Sequence, residues 1–193
     1  WDEYQIILEN VCNVKMAELA DLTPLQNRDL VMGGVVTGVR EGYTKTGKPY
    51  GVAKLEDYSG SAEFIFFGNE WVEKKNFFNV GMFLYMKGKC QPKQWKQDEY
   101  EVKVNTIELL SDVKEEVIER LTVSVPLSEI NDEFIEEFSS LAKAHPGNVL
   151  LDFYVRDEEG QHISLTSRKW KINVEKDIIA YLKSQSMLSY KIN

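Results

Sequence analysis

The sequence has 193 residues, 43% of them hydrophobic, and a formal net charge of −8. It is long enough to bury the core of one large domain or of two small ones. No apolar run approaches the length of a membrane span and no signal-peptide pattern opens the sequence, so we expect a cytoplasmic protein with no membrane partner. The two cysteines, Cys12 and Cys90, are far apart and lack C-x-x-C spacing, which argues against a disulfide framework and a structural zinc site.

Residues 1–29 form an apolar lead-in that we expect to pack on the domain that follows it. Within residues 30–110, alternating hydrophobicity between turn residues predicts five strands, with a short helix between the third and the fourth. The predicted strands are 31–41, 50–57, 61–68, 82–89 and 100–109, and the helix is 69–78. A helix at that place is where an OB-fold barrel has its plug, so residues 30–110 predict a five-stranded OB-fold barrel.

The acidic residues lie mostly outside this barrel. Residues 30–110 hold eleven Lys and Arg against ten Asp and Glu, whereas residues 1–29 hold two against six and residues 111–193 hold ten against fifteen. An OB-fold holds single-stranded nucleic acid with its strand-joining loops and the face of strands two and three. A locally basic barrel on an acidic protein therefore predicts weak, salt-sensitive binding to a single strand.

The candidate nucleic-acid-binding residues are basic or aromatic and fall on the barrel face or in the two loops. Those on the face are Arg40, Tyr50, Lys54, Lys87 and Lys89, and those in the loops are Tyr43, Lys45, Lys48, Lys93, Trp95 and Lys96. Strand alternation places Ile65 and Phe67 on the same face as Tyr50. Trp95 stands in a polar loop and can stack on a base, or it packs on the barrel wall or on another domain.

Patterns that carry catalysis are incomplete in this sequence. Residues 42–49 read G-x-x-x-x-G-K-P, but a P-loop ends in Ser or Thr and opens a helix, so we interpret them as a basic hairpin loop. The acid pair Glu56–Asp57 suits a tight turn, and no D-x-D pair for metal-assisted chemistry is present. Neither His145 nor His162 has the neighbours of a triad. We predict no catalytic residue, metal site or cofactor.

Residues 111–119 are a charged connector, and residues 120–193 predict a second domain. Its elements follow the order β-α-β-β-α-β, which is that of a ferredoxin-like arrangement, so the chain as a whole is α+β. The acidic excess after residue 110 opposes phosphate and favours a protein partner. An apolar chain end is usually fixed in its own sheet or beneath a partner, which makes candidates of Met187, Leu188, Tyr190 and Ile192.

With these residues in view, the chain resembles the C-terminal part of the bacterial replicative DNA polymerase III α subunits. The matching stretches are DEYQ at residues 2–5, residues 30–68 and the β-α-β-β-α-β tail. The resemblance implies a fragment of a DNA-directed DNA polymerase, a nucleotidyltransferase, whose palm carboxylates and PHP metal ligands match nothing here. It also implies that the OB-fold contacts the single-stranded DNA template, that the tail binds the clamp-loader tau subunit, and that other replisome subunits bind the parent protein.

Two other functions fit part of the sequence. A tRNA-binding OB module from a synthetase-like protein fits residues 30–110, but the tail disfavours it. A protein-interaction OB scaffold that never touches nucleic acid fits the acidic overall charge.

Overall fold

The computed structural model describes residues 4–193, which divide into two units between Glu115 and Glu116. Residues 1–3, and with them half of the DEYQ stretch, lie outside the described residues. The division falls within the segment predicted as the connector. No helix within residues 4–193 is long and apolar enough to cross a membrane.

The first unit is a five-stranded antiparallel sheet with short helices around it. Its helices are α1 (Gln5–Asn10), α2 (Asn69–Lys74) and α3 (Leu110–Val113), with 3₁₀ turns at Met16–Ala20, Thr23–Leu25 and Lys75–Phe77. Its strands are β1 (Asp29–Tyr43), β2 (Pro49–Asp57), β3 (Gly60–Phe67), β4 (Phe83–Pro92) and β5 (Tyr100–Leu109). The strand order β3-β2-β1-β4-β5 confirms the predicted OB-fold.

The long first strand is shared between two partners. Its beginning pairs with β4 and its end pairs with β2, and a bulge separates Val36 from Gly38 where the strand turns. Within the described sheet, β3 and β5 form no ladder, so the predicted barrel is not closed by hydrogen bonds. The α2 helix packs on β2 and β3, and Lys74 Nζ donates to the Val104 carbonyl of β5 at 2.9 Å.

Trp71 of α2 anchors this helix in the core. Its indole stacks with Phe66 and Phe78 and lies directly over Gly51, where a Cβ would collide with the ring. Its Nε1 donates to Glu41 Oε1 at 2.9 Å, which satisfies the buried donor. The helix predicted over residues 69–78 is therefore confirmed, although its last residues form a 3₁₀ turn.

The lead-in contributes to the same core through Val14, Met16 and Leu25. The buried Asp57 holds it in place, since its Oδ2 accepts from the Met16 amide at 2.9 Å and its Oδ1 from the Ser59 amide at 2.8 Å. This bond to Ser59 confirms the tight turn for Asp57, whereas Glu56 lies in the β2–β3 ladder opposite Ser61.

The second unit is a four-stranded sheet with two helices. Its strands are β6 (Arg120–Pro126), β7 (Pro146–Arg156), β8 (His162–Ile172) and β9 (Ser189–Ile192). A 3₁₀ turn at Leu127–Glu129 precedes α4 (Asp132–Ala144), and α5 (Lys176–Ser184) follows β8. Together with the first unit this confirms the α+β class and the predicted order of elements.

The pairing of these strands corrects one prediction. The order is β8-β7-β6-β9, and β6 pairs directly and in parallel with β7. A ferredoxin-like arrangement would instead separate the two strands that the first helix connects. That part of the prediction is wrong, because the β7–β8 hairpin places β8 at the outer edge of the sheet.

Candidate nucleic-acid interface

The solvent-facing side of β1, β2 and β3 brings aromatic, apolar and basic side chains together in cross-strand rows. Tyr50 lies opposite Phe67, and their ring centroids are 6.3 Å apart. In the next row Val52 lies between Arg40 and Ile65. Ile65 is 55% exposed and Phe67 48%, so the predicted placement of these two residues beside Tyr50 is confirmed.

Charge on this face is only partly balanced. Arg40 Nη1 lies 3.3 Å from Glu63 Oε1, and both side chains are exposed. Lys54 is also exposed and lies opposite Glu63 in the ladder. An exposed ion pair is weak, so a phosphate can compete with Glu63 for these two cations.

The β1–β2 loop presents three of the candidates on a fixed turn. The Thr44 amide donates to the Lys48 carbonyl at 2.8 Å, and the Gly47 amide donates to the Thr44 carbonyl at 2.9 Å. Gly47 has a φ of +81°, which other residues adopt with strain. Tyr43, Lys45 and Lys48 are exposed around this turn. Strand β2 follows it, which confirms a hairpin loop and excludes a phosphate-binding loop that opens a helix.

The β4–β5 loop contains an acid whose role the sequence did not reveal. Glu99 accepts from Lys93 Nζ at 3.0 Å and from Lys96 Nζ at 2.5 Å. Hydrogen bonds from Lys96 and then from Lys93 hold the pKa of Glu99 below its ordinary value. Two of the predicted phosphate contacts are therefore partly neutralised, whereas Trp95 projects from the loop with 78% of its surface exposed.

Lys87 and Lys89 lie apart from the rows on β2 and β3. They are exposed on β4, opposite Val31 and Asp29 of β1. On β1, Lys87 pairs with Val31 and Lys54 pairs with Gly38. These two β1 residues are seven positions apart, which corresponds to roughly 20 Å along a strand. The structure thus does not group these two lysines with Tyr50 and Lys54.

The nucleophilic and metal-binding side chains form no reactive arrangement in the described part of the chain. Residues 4–193 contain no group of three or more His, Cys, Asp or Glu side chains placed to hold a metal ion. Burial, with a smaller effect of the Asp57 charge, raises the pKa of Cys12 to about 12, and burial also raises the pKa of Cys90. His145 Nδ1 lies 3.0 Å from Glu175 Oε2, and His162 stacks on Tyr154. A thiol with a raised pKa is a poor nucleophile.

At the chain end, the four partner-binding candidates differ in accessibility. Met187 is 53% exposed, and Leu188 and Tyr190 are half-buried. Ile192 is only 6% exposed and lies opposite Leu121 in the β6–β9 ladder, so its side chain is part of the core of this unit. The physical reason is that β9 completes the sheet of its own unit.

Both units match models of known protein families. Residues 121–193 match the family model described as the DNA polymerase III alpha subunit, C-terminal domain, and residues 30–110 match the OB-fold nucleic acid binding domain. The DNA polymerase III subunit alpha of Bacillus subtilis is 23% identical over 156 residues, which are 81% of this chain and 14% of the relative.

Two further relatives have the same name. The protein of Vibrio cholerae is 24% identical over 193 residues, 94% of this chain and 16% of the relative, and that of Haemophilus influenzae is 21% identical over 177 residues, 91% of this chain and 15% of the relative. The chain thus spans only 14% to 16% of the length of these relatives. Together the matches confirm the resemblance found in the sequence: over most of its length the chain is similar to DNA polymerase III α subunits, and residues 121–193 match their C-terminal domain.

Proposed function

We propose that this chain is a non-catalytic C-terminal part of a cytoplasmic, replicative DNA polymerase III α subunit. In this proposal residues 30–110, with the lead-in 1–29, bind single-stranded DNA of the template. Residues 120–193, joined by the connector 111–119, bind the clamp-loader tau subunit. The parent protein is the DNA-directed DNA polymerase and holds the remaining replisome partners.

The observation that carries the DNA-binding part is the mixed face of β1, β2 and β3. Bases stack on aromatic rings, which Tyr50 and Phe67 offer on neighbouring strands, and Ile65 adds apolar surface in the next row. Phosphates need cations. Arg40 lies in the row of Ile65, and Lys54 lies in the row next to it. Glu63 and Glu99 compete for the cations, so we expect weak binding that salt readily reverses.

The two loops allow a test that separates stacking from charge. In a fluorescence-anisotropy titration with a labelled oligo-dT strand, Trp95→Ala should weaken binding by roughly 1–3 kcal/mol at an unchanged salt slope, because stacking releases no counterions. The double variant Lys45→Gln and Lys48→Gln should lower the salt slope by about 0.7 per lysine.

Lys75→Gln is the matched control for charge, since Lys75 is exposed on the 3₁₀ turn after α2. It should leave the salt slope unchanged. If the variant with Lys45, Lys48, Lys93 and Lys96 all changed to Gln binds like the parent chain, these loops do not bind nucleic acid.

The exposure of Ile65 and Phe67 also favours a second function, an OB scaffold that binds protein. Changing both residues to Ser distinguishes the two. Loss of single-stranded DNA binding supports the first proposal, and loss of tau binding with unchanged DNA binding supports the scaffold. Tighter binding of a single-stranded RNA than of the DNA of the same sequence would favour the tRNA-binding module.

A further inference from the structure

A bulge in β8 of the second unit lies in a basic stretch of the chain, and two lysines contact the one indole in it. Thr166 pairs with Asp152 and Lys171 pairs with Leu150, so the four residues 167–170 face a single residue of β7. The Trp170 amide donates to Ser167 Oγ at 3.0 Å, which closes the bulge at its base. The bulge therefore has a defined conformation from which its side chains project.

Two lysines lie against the Trp170 ring. Lys169 Nζ is 4.9 Å from the ring centroid, and Lys143 Nζ, which comes from α4, is 5.6 Å away. Arg168 and Lys171 are exposed as well, two positions before and one position after Trp170 in the sequence. A cation–π contact orders an ammonium group without cancelling its charge, whereas a carboxylate partner cancels it.

These four cations have no acidic partner within the described residues. None of the ion pairs found at 4 Å or less in residues 4–193 includes Lys143, Arg168, Lys169 or Lys171. The sequence between Glu159 and Glu175 contains no acid at all. Within residues 4–193 no ion pair neutralises these cations, in contrast to Lys93 and Lys96, which share Glu99.

We propose that Lys143, Arg168, Lys169 and Lys171 form a binding site for the phosphodiester backbone of nucleic acid. This goes beyond the proposed function, which assigns nucleic acid to the first unit and a protein to the second. Because lysine ammonium groups already occupy the Trp170 ring, the contact is made by charge rather than by base stacking. It is therefore independent of sequence and depends strongly on salt.

The test uses the whole chain and two variants that each remove two positive charges. Arg168→Gln with Lys169→Gln changes the cluster, and Lys183→Gln with Lys191→Gln is the matched control from exposed positions of the same unit. Binding to a labelled oligo-dT strand and to a duplex of equal length is followed by anisotropy between 50 and 200 mM salt. Both double substitutions are also combined with the change of Lys45, Lys48, Lys93 and Lys96 to Gln.

In either background the cluster variant should lower the salt slope by about 1.4 on the single strand and about 1.8 on the duplex, since each neutralised phosphate releases about 0.7 or 0.9 counterions. The control should leave both slopes unchanged. The larger relative loss of affinity identifies which form of DNA the cluster contacts. An effect that persists without the loop lysines separates this site from the one on the first unit.

Three results would overturn the proposal. One is a cluster variant whose slopes equal those of the control on both DNAs. Another is a parent chain that does not bind either DNA at 50 mM salt. The third is a cluster variant that no longer binds labelled poly-glutamate but binds DNA as the parent chain does. That result would show that the cluster binds an acidic protein. Coinciding thermal unfolding curves of the two variants confirm that both are folded.

Discussion

Glu99 determines how much positive charge the β4–β5 loop can offer to a ligand. Its two carboxylate oxygens hold Lys93 and Lys96, and the loop backbone reinforces this, because the Lys93 amide donates to the Glu99 carbonyl at 2.8 Å. A glutamate is ionised at neutral pH, and the lowered pKa extends the ionised range of Glu99 toward acidic pH. A phosphate must therefore displace Glu99 from each lysine that it contacts.

We expect Glu99→Gln to strengthen binding to single-stranded DNA and to raise the salt slope by up to about 1.4, because two lysines become available. Asp98→Asn is the matched control, since it removes an acid from the same loop without freeing a lysine. Anisotropy titrations at several salt concentrations measure both effects. Equal effects of the two substitutions would show that only net charge matters and that the pairing seen for Glu99 does not.

The sequence predicts where a side chain lies when a local rule determines it. The two-residue period of a strand was enough to place Ile65 and Phe67 on the face of Tyr50. The same rule places Val52 on that face but does not predict that it is only 5% exposed, because burial depends on side chains from adjacent strands, here Arg40 and Ile65. The pairing of Glu99 depends on how the loop closes, which spacing alone does not give.

At the scale of elements, β9 shows how a chain end can belong to the core. It pairs with β6 through four residues and buries Ile192. The Asn193 side chain then accepts from the Glu119 amide at 2.7 Å and donates to the Val117 carbonyl at 2.7 Å. The last residues of the chain therefore hold residues 120–124 of β6 and the segment that precedes it.

We expect deletion of residues 186–193 to abolish the cooperative unfolding of the second unit, since it removes an edge strand, a buried isoleucine and these hydrogen bonds. Loss of a large buried aliphatic side chain alone costs about 2–5 kcal/mol. Met187→Ser is the control, because its side chain is exposed and it precedes the strand. Circular dichroism melts and hydrogen exchange of β6 measure the result. A deletion variant that melts like the parent would leave β9 free to be a partner-binding segment.

The order of elements in the second unit followed from periodicity and turn residues, but the order of strands in the sheet did not. A hydrophobic pattern identifies a strand but not the strand with which it pairs. The patterns of β6, β7 and β8 are compatible with more than one order of strands in the sheet. The parallel pairing of β6 with β7 reflects a tertiary choice. For the same reason the sequence predicted an OB-fold sheet but not that β3 and β5 would remain unpaired.

At the scale of the whole molecule, net charge is a poor guide to where a polyanion binds. The chain carries −8, yet its second unit contains a cluster of four cations without an acidic partner among the described residues. The sum over residues 111–193 is acidic, but seven of its fifteen acids lie on α4 or in the β7–β8 turn, and none lies between Glu159 and Glu175. Distribution, rather than total charge, decides the local potential.

The whole chain is expected to have no polymerase activity of its own. Two-metal phosphoryl transfer needs carboxylates that project together. Three acids of the first unit instead serve other contacts: Asp57 holds the lead-in, Glu70 binds Lys74 and Lys103, and Glu99 binds the loop lysines. Extension of a labelled primer in Mg²⁺ or Mn²⁺ by the pure chain should therefore stay at the level of a mock purification. Glu56→Gln serves as the control that separates a contaminating enzyme from the chain itself, because a contaminant is insensitive to the substitution. Primer extension that co-purifies with the chain and is lost when an acid within it is replaced would show that the catalytic carboxylates lie in this region after all.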